Sequence, residues 1–246
     1  MQKQVTIQLN ITISSLMRPV IDAGYLIYIV GGYVRDALLG HASYDVDFCT
    51  NAPLEQLIQI YADYKLNKQA MNYGAISFTH DNYSIQITRL RRDSNESNGR
   101  YPSHIEYVNR IEEDFIRRDF TINALYCDID GNVIDPCHGL HDLHHQLIDT
   151  VIDANTSFQQ DYLRILRALR FANRLNFNLS DNVNHAIVND LDGIRSLSAY
   201  RLHQELKGFG LYPGYNRYIN LYQKVLSTYF GQEVPLTSMP LDASNE

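Results

Sequence analysis

Two carboxylates stand two residues apart in residues 44–49, where polar and apolar side chains alternate. Such alternation is typical of a β-strand, and residues two apart on a strand point to the same face. Because adjacent carboxylates repel each other at neutral pH, the pair favours bound cations. Hard oxygen ligands suit Mg²⁺, which also takes phosphate oxygens of a substrate. The sequence therefore predicts Asp45 and Asp47 as metal ligands and catalytic residues of a phosphate chemistry.

A glycine pair precedes these acids. Residues 25–30 are apolar and predict a strand that ends at Gly31 and Gly32, and residues 34–39 predict a short helix that stops at Gly40. Glycine lets the backbone approach a phosphate chain, and the first N–H groups of a helix can bind an anion. Taken separately, a pair of surface acids and a glycine turn are both ordinary features without a catalytic role.

The complete string, residues 28–50, is far more specific. It resembles the signature GG-x-x-RD-x-x-LG-x(4)-D-x-D-x-x-T of the class II tRNA nucleotidyltransferase and bacterial poly(A) polymerase family. All fixed positions of that signature are present, and they are Gly31, Gly32, Arg35, Asp36, Leu39, Gly40, Asp45, Asp47 and Thr50. The resemblance implies an α+β fold, in which a polymerase-β-like nucleotidyltransferase head (a mixed sheet with helices) precedes an all-α neck. It also implies that Gly31, Gly32 and Arg35 bind the nucleotide.

Residues 117–124, RRDFTINA, match a second motif of the same family in full. An arginine and an aspartate can bind both hydroxyls of a ribose, since the carboxylate accepts and the guanidinium donates. In the family this motif selects ribonucleotides, which implies nucleotide-binding roles for Arg118, Asp119 and Asn123. Without the resemblance, Arg118 and Asp119 would be interpreted as a surface ion pair of little energetic weight.

Residues 158–175 predict one amphipathic helix with a broad apolar stripe. The string also resembles the family motif ED-x-x-R-x-LRA-x-RF, in which the aspartate and the first arginine read the base of the incoming nucleotide. The resemblance implies this role for Asp161 and Arg164, spaced one turn apart on a helix. Arg167 and Arg170 are further candidate nucleotide-binding residues, although the helical pattern alone would leave Arg170 on a solvated face.

Three positions depart from the family motifs. Gln86 replaces an acid, and an amide brings no charge to a metal site. Gln160 replaces the glutamate that steadies the base-reading arginine, so it can hold Arg164 only through a neutral carbonyl. Tyr200 replaces a glutamate in the last motif, residues 198–206, which we expect to be a helix that serves packing.

A run of thiol and imidazole side chains follows the predicted head. Its members are Cys137, His138, His141, His144 and His145. Such groups are zinc ligands, but their spacing matches no closed tetrahedral pattern. The same segment matches the family turn DP-x-x-G-x-x-DL, which joins head to neck as a hinge. We therefore interpret the histidines as surface residues at the start of a helix.

Composition is that of an ordinary globular protein. The 246 residues include 45% hydrophobic and 20% charged residues, with a formal net charge of −7. No apolar run approaches the roughly 18 residues of a membrane span. Three cysteines without a C-x-x-C pair indicate free thiols and a reducing, cytoplasmic location. The arginines cluster despite the acidic total, which predicts a basic cleft for RNA on an acidic body.

The remaining pattern predicts the elements that position these residues. They are a first helix in residues 9–23, a helix from Pro53, strands in residues 73–79, 83–91 and 105–109, a loop in residues 93–104, and a hairpin in residues 124–135 that turns at Asp130-Gly131. In the family that loop helps to position the final nucleotide, although a disordered hairpin tip fits it equally. The predicted domains are residues 1–136 (head), 137–210 (neck) and 211–246 (a short C-terminal segment).

The resemblance implies an enzyme that adds C and/or A, from CTP and/or ATP, to the 3′ end of tRNA with Mg²⁺ as cofactor. Poly(A) addition is one alternative. A catalytically weak paralogue that binds nucleotide or RNA is another, because of the departures at Gln86, Gln160 and Tyr200. Nucleotidylation of a small alcohol is disfavoured by the intact Asp161 and Arg164. Full-length family members continue with body and tail domains that grip tRNA, and residues 211–246 are too few to form them. We expect a truncated form with head and neck only, in which a homodimer or a partner chain supplies that grip.

Overall fold

The computed structural model describes residues 4–71, 74–93, 105–206 and 215–234. These residues divide into two compact units. The first contains the described residues up to 140 without 119–121, and the second contains residues 119–121 and the described residues from 141 onward. The chain therefore passes from one unit to the other and back within the motif RRDFTINA. The predicted boundary between residues 136 and 137 stays a prediction.

The first unit is built on a six-stranded mixed sheet with the order β3-β4-β2-β1-β7-β8. Its strands are β1 (Ile27–Val30), β2 (Asp45–Thr50), β3 (Ala75–His80), β4 (Tyr83–Arg89), β7 (Tyr126–Cys127) and β8 (Val133–Ile134). Two short strands, β5 (Arg91–Asp93) and β6 (Ile105–Tyr107), pair separately. The helices are α1 (Ile11–Asp22), α2 (Gly32–Leu38), α3 (Leu54–Ile60), α4 (Lys68–Met71) and α5 (Ile111–Asp114), with a 3₁₀ turn η1 (Phe115–Arg117).

Alternation in the strands separates two faces of this sheet. β2 runs parallel to β4 and antiparallel to β1. One face is buried against α1, α2 and α3; its apolar residues are Ile27, Ile29, Val46, Phe48, Ile76, Phe78, Ile85 and Ile87. The opposite face exposes Asp45, Asp47 and Gln86. Further along the same face, a second cluster packs Val30 and Cys49 with residues of the α5 region. The exposed and the buried parts of this face thus lie at opposite ends of β2.

The second unit is mainly helical. It contains α7 (Ala154–Gln160), α8 (Leu163–Leu175), α9 (Asp181–Asn189), α10 (Ala199–Leu206), α11 (Tyr215–Phe230), the 3₁₀ segment η3 (Leu191–Ser196) and the parallel pair β9 (Leu147–Ile148) and β10 (Asn178–Leu179). Side-chain caps begin two of its helices, since Asp153 accepts from the amide of Thr156 at 2.9 Å and Ser180 accepts from the amide of Val183 at 3.2 Å. Two elements cross the division of the units, η2 (Thr121–Asn123) and α6 (Gly139–His144).

The α+β class, with a mixed-sheet head and a helical neck, is confirmed, and so are the strand, turn and helix order around Asp45 and the hairpin of β7 and β8. One helix was predicted across Asp161, and that prediction is wrong. Asp161 has extended backbone angles (φ −154°, ψ 102°) and separates α7 from α8. Within the predicted C-terminal segment, α11 covers 16 residues and buries Tyr222 and Val225. Residues 94–104, which contain most of the predicted loop, lie outside the described residues. Among those described, no helix is long and apolar enough to span a membrane.

Candidate active site

Asp45 and Asp47 lie on β2 with exposed side chains, while Val46 between them is buried. The strand places both carboxylates on the same face of the sheet, as predicted from their spacing. Gln86 is the register partner of Asp47 on the parallel strand β4 and shares that exposed face. Two carboxylates and an amide carbonyl are therefore gathered as oxygen donors at one place on the sheet.

The glycine turn joins β1 to α2. Gly31 has φ 80° and ψ −131°, a backbone conformation that a residue with a Cβ rarely adopts. Its amide donates to the carbonyl of Leu125 at 3.1 Å, which ties the turn to the segment before β7. Gly32 opens α2. Both predicted glycines therefore form one tight connection next to the strand that carries Asp47.

Arg35 lies inside the first unit with 2% of its surface exposed. Its Nε donates to Asp36 Oδ1 at 2.8 Å and its Nη1 donates to Asn123 Oδ1 at 2.6 Å. The side chain thus links α2 to the end of the RRDFTINA motif. Arg35 and Asn123, both predicted to bind nucleotide, are held together by this contact.

Arg118 contacts a buried acid that the sequence did not single out. Its Nη2 donates to Asp114 Oδ2 at 2.9 Å, and its Nε donates to the hydroxyl of Tyr126 at 2.9 Å. Arg117 binds the other carboxylate oxygen at 2.8 Å. Burial alone would raise the pKa of Asp114, but the two guanidinium groups hold it at about 2. Asp114 is therefore the anchor of the two arginines that begin RRDFTINA.

Asp119 pairs with a distant residue. Arg167 Nε on α8 donates to Asp119 Oδ2 at 2.8 Å, and the amide of Phe120 donates to Oδ1 at 2.8 Å. Burial would raise the pKa of Asp119, but Arg167 and these hydrogen bonds lower it to about 2. Arg118 and Asp119, predicted to act as one couple, thus have different charged partners and fall in different units.

The helix α10 provides counter-charges for the predicted base-reading region. Both oxygens of Asp161 accept from Arg201 Nη2, at 2.9 and 2.7 Å. Glu205, one turn further along α10, accepts from Arg170 Nε at 2.7 Å and lies 3.8 Å from Arg167 Nη1. The predicted nucleotide-binding residues of this unit are therefore held in a network of alternating charge.

Arg164 is oriented by the helix that precedes it. Its Nη1 donates to Ser157 Oγ at 2.8 Å, to the Ser157 carbonyl at 3.3 Å and to Gln160 Oε1 at 3.4 Å. The expected contact of Gln160 with Arg164 is thus present, and it is long. Asp161 and Arg164 remain neighbours, because the amide of Arg164 donates to the Asp161 carbonyl at 2.9 Å. The Asp161 carboxylate accepts from the amide of Leu163 at 3.1 Å.

Sequence reasoning did not single out Asp114, and it assigned Arg201 and Glu205 to helix packing without foreseeing their charged partners. The signal for the last two was available, because Arg201 and Glu205 are spaced i, i+4 and therefore share one helix face. For Asp114 the only local signal was its position, three residues before Arg117 and four before Arg118. Among the described residues, no group of three or more His, Cys, Asp or Glu side chains could hold a metal ion.

The sheet with its exposed acids and the helices that follow define the class of the protein, a polymerase-β-like nucleotidyltransferase head with a helical neck. The sequence model of the Poly A polymerase head domain matches residues 27–149. That match covers half of the chain, and the chain belongs to this family.

Relatives of known name agree. The chain is 36% identical over 220 residues to a CCA-adding enzyme of Lactobacillus johnsonii, which covers 89% of this chain and 54% of the relative. The crystal structure of the Bacillus stearothermophilus CCA-adding enzyme in complex with CTP superposes with a TM-score of 0.76 at 30% identity, covering 86% of this chain and 51% of that one. A tRNA nucleotidyltransferase complexed with a primer tRNA and an incoming ATP analog has a TM-score of 0.72 at 30% identity, covering 87% and 62%. The chain spans about half the length of the curated relative.

Proposed function

We propose that the protein adds C and/or A to the 3′ end of tRNA without a template (CCA, CC or A addition). In this reaction the RNA 3′-OH attacks the α-phosphate of CTP or ATP, and pyrophosphate leaves. The observation that carries the proposal is the pair Asp45 and Asp47, both exposed on one face of β2 beside the glycine turn. The names of the relatives, and the CTP, ATP analog and tRNA in the neighbouring structures, support it.

The donor set fits Mg²⁺. Asp45 and Asp47 present charged oxygens and Gln86 a neutral one, and hard oxygen ligands are those that Mg²⁺ prefers. We assign the metal to the two aspartates. When bound there, Mg²⁺ supplies Lewis-acid chemistry that favours loss of the hydroxyl proton and neutralises charge on the leaving pyrophosphate. Two protein carboxylates leave coordination positions for the substrate's own phosphate oxygens.

The chain's own residues bind and orient the nucleotide in this proposal. Gly31 and Gly32 give the triphosphate close access to the backbone. Asp119 accepts from the ribose hydroxyls, because Arg167 and Phe120 keep its carboxylate charged and fixed. Arg118 is held by Asp114 and Tyr126, so we assign it to positioning the segment that leads to Asp119.

Asp161 and Arg164 read the base edge. An aspartate accepts from an exocyclic amine and an arginine donates to ring acceptors, which together favour C and A over U and G. We assign Arg167 and Arg170 to the predicted basic cleft, where Asp119 and Glu205 fix their positions. Arg201 fixes the position of Asp161. Arg35 and Asn123 support the glycine turn through their mutual hydrogen bond.

The domain limits (head 1–136, neck 137–210, C-terminal segment 211–246) belong to the same proposal. So does a cytoplasmic location, which the three free thiols of Cys49, Cys127 and Cys137 support. A homodimer or a partner chain that helps to hold the tRNA is our hypothesis for RNA binding. Sedimentation of the protein with and without tRNA measures whether a second copy joins the complex.

The direct test incubates the protein with Mg²⁺, tRNA lacking its 3′ CCA, and each labelled nucleoside triphosphate in turn. We expect incorporation of C, A or both, little of U and G, and no transfer by Asp45→Ala or Asp47→Ala variants that remain folded. Long A tails on unrelated RNA would instead establish the poly(A) polymerase alternative. Saturable binding of CTP or ATP without any transfer would establish the weak paralogue, which the amides at Gln86 and Gln160 favour.

A further inference from the structure

Two histidines of the junction helix have no part in the proposed reaction. His141 lies in α6 and His145 follows one turn later, where its amide donates to the His141 carbonyl at 3.0 Å. Their rings face each other, with centroids 4.1 Å apart and planes inclined by 30°. Both side chains are open to solvent, and that of His141 is 62% exposed. Histidines spaced i and i+4 on one helix face can chelate one metal ion.

In both rings, Nδ1 is the nitrogen that takes part in a hydrogen bond. His141 Nδ1 lies 3.1 Å from Asp142 Oδ1, and His145 Nδ1 lies 2.8 Å from the carbonyl oxygen of His141. A carboxylate and a carbonyl only accept, so the proton of each neutral ring belongs on Nδ1 and the lone pair on Nε2. This arrangement, a second ring nitrogen donating to a carboxylate or a backbone carbonyl, is the one that metal-binding histidines almost always show.

We propose that His141 and His145 form a bidentate site, through their Nε2 atoms, for a late first-row divalent cation such as Zn²⁺ or Ni²⁺. Imidazole suits these ions, whereas Mg²⁺ prefers oxygen ligands, so the site is separate in chemistry from Asp45 and Asp47. With two protein ligands the coordination shell stays open to water or another group, unlike a closed structural zinc site.

Metal binding at this site should affect the segment that contains Asp119. Asp142, which receives the His141 Nδ1 hydrogen bond, also accepts from Thr121 Oγ1 at 2.6 Å. A cation on His141 makes its Nδ1–H a stronger donor and so holds the Asp142 carboxylate and Thr121 more firmly. Metal binding should therefore stabilise the folded protein, because only the folded helix brings the two rings together.

Isothermal titration of the untagged protein with ZnCl₂ and NiCl₂, in buffer with millimolar Mg²⁺, tests the site. We expect one ion per chain, and about tenfold or greater loss of affinity in His141→Ala and in His145→Ala. The matched controls are His185→Ala on α9 and Cys137→Ser, which should bind within about twofold of the parent. Because both histidines are exposed, these variants should fold normally.

Two further readouts complete the experiment. The thermal midpoint should rise by a few degrees with saturating Zn²⁺ in the parent and stay constant in both histidine variants. Long-range ¹H–¹⁵N spectra of the imidazoles should show Zn²⁺ on Nε2 and a proton on Nδ1. The assignment is overturned if no saturable binding is found, if both histidine variants keep the parent affinity, or if only Cys137→Ser loses it. If the protein proved unable to transfer nucleotides, the test of this site would still hold, because the binding of Zn²⁺ to His141 and His145 does not involve Mg²⁺ at the aspartates.

Discussion

Asp161 and Arg201 stand 40 residues apart and share two hydrogen bonds, from Arg201 Nη2 to both carboxylate oxygens at 2.9 and 2.7 Å. Asp161 interrupts the helical path between α7 and α8, and its carboxylate also accepts from the amide of Leu163. The acid proposed to read the base is therefore fixed by α10 and by the start of α8. Its orientation does not come from helical spacing alone.

Loss of Arg201 should relax nucleotide choice. In Arg201→Ala the Asp161 carboxylate loses a charged partner, and hydrogen bonds to charged groups contribute about 1.5–3 kcal/mol. We expect kcat/KM for the preferred nucleotide to fall about tenfold or more. The ratio of this kcat/KM to the kcat/KM for UTP should also decrease. Arg195→Ala, which removes an arginine 59% exposed on η3, is the matched control and should change neither quantity. If kcat/KM fell by the same factor for all four nucleotides, Arg201 would serve only the stability of the fold.

An acid at position 86 should strengthen metal binding. Gln86 is the register partner of Asp47, so Gln86→Glu adds a third carboxylate beside the proposed ligands. We expect half-maximal transfer at an Mg²⁺ concentration lower by about tenfold, or about 1.4 kcal/mol in binding. Thr79→Glu puts the same charge on an exposed position one strand further away and should have little effect. If both variants lowered the required Mg²⁺ concentration equally, the effect would come from the added negative charge and not from a ligand at position 86.

Sugar selection should depend on Asp119. Asp119→Ala removes the acceptor proposed for the ribose hydroxyls, so the preference for ATP over dATP should narrow by about tenfold or more. Asp119→Asn keeps the shape but loses the charge that Arg167 holds, and it should give an intermediate ratio. The ratio of kcat/KM values for ATP and dATP is the measurement. If this ratio stays constant while the thermal midpoint falls, Asp119 serves only the fold.

The acid stability of the protein should depend on Asp114. Its pKa is about 2 in the folded protein against an ordinary 3.8, so the folded state binds fewer protons than the unfolded state between these values. The carboxylate thus contributes about 2 kcal/mol above pH 4, and this contribution is lost as the pH falls towards 2. Asp114→Asn should be less stable at pH 7 by about 3–5 kcal/mol, because it leaves two arginines without their counter-charge.

Urea unfolding at a series of pH values measures this effect. Between pH 5 and 2 the stability of Asp114→Asn should fall less steeply than that of the parent protein, with Asp119 responsible for part of the remaining slope. The exposed Asp63→Asn is the control and should follow the parent curve. Parallel curves for Asp114→Asn and the parent would show that Asp114 is not a low-pKa group.

Local patterns accounted for the elements around the proposed catalytic pair. The strand with Asp45 and Asp47 and the turn at Gly31 depend on alternation and on glycine, which act over a few residues. The ion pair of Asp119 with Arg167 joins residues 48 apart, and only the folded chain brings them together. The break at Asp161 escaped prediction for a related reason, because the apolar periodicity continues through it while Arg201 and the Leu163 amide favour an extended backbone there.

Base selection should weaken when Arg164 is removed and should sharpen when Arg164 is held more firmly. Arg164→Ala removes the proposed donor to the base, and one well-made hydrogen bond to a base edge discriminates by about 1–3 kcal/mol. A site that hydrogen-bonds a base rejects bases that leave its polar groups unpaired, so removal of the Arg164 guanidinium should let UTP and GTP gain relative to CTP and ATP. Arg174→Ala, which removes an exposed arginine from the last turn of α8, is the control and should keep the parent preference.

Gln160→Glu is the opposite change. Gln160 Oε1 accepts from Arg164 Nη1 at 3.4 Å, a long contact with a neutral carbonyl. A carboxylate at this position puts a negative charge opposite the guanidinium and turns the contact into an ion pair, whose hydrogen bonds are short and strong. The variant should therefore fix the guanidinium more firmly and raise either the rate with CTP and ATP or the selection against UTP and GTP. If Arg164→Ala leaves nucleotide preference untouched and Gln160→Glu changes neither rate nor selection, Arg164 does not read the base, and its contacts with Ser157 and Gln160 serve only to join α7 to α8.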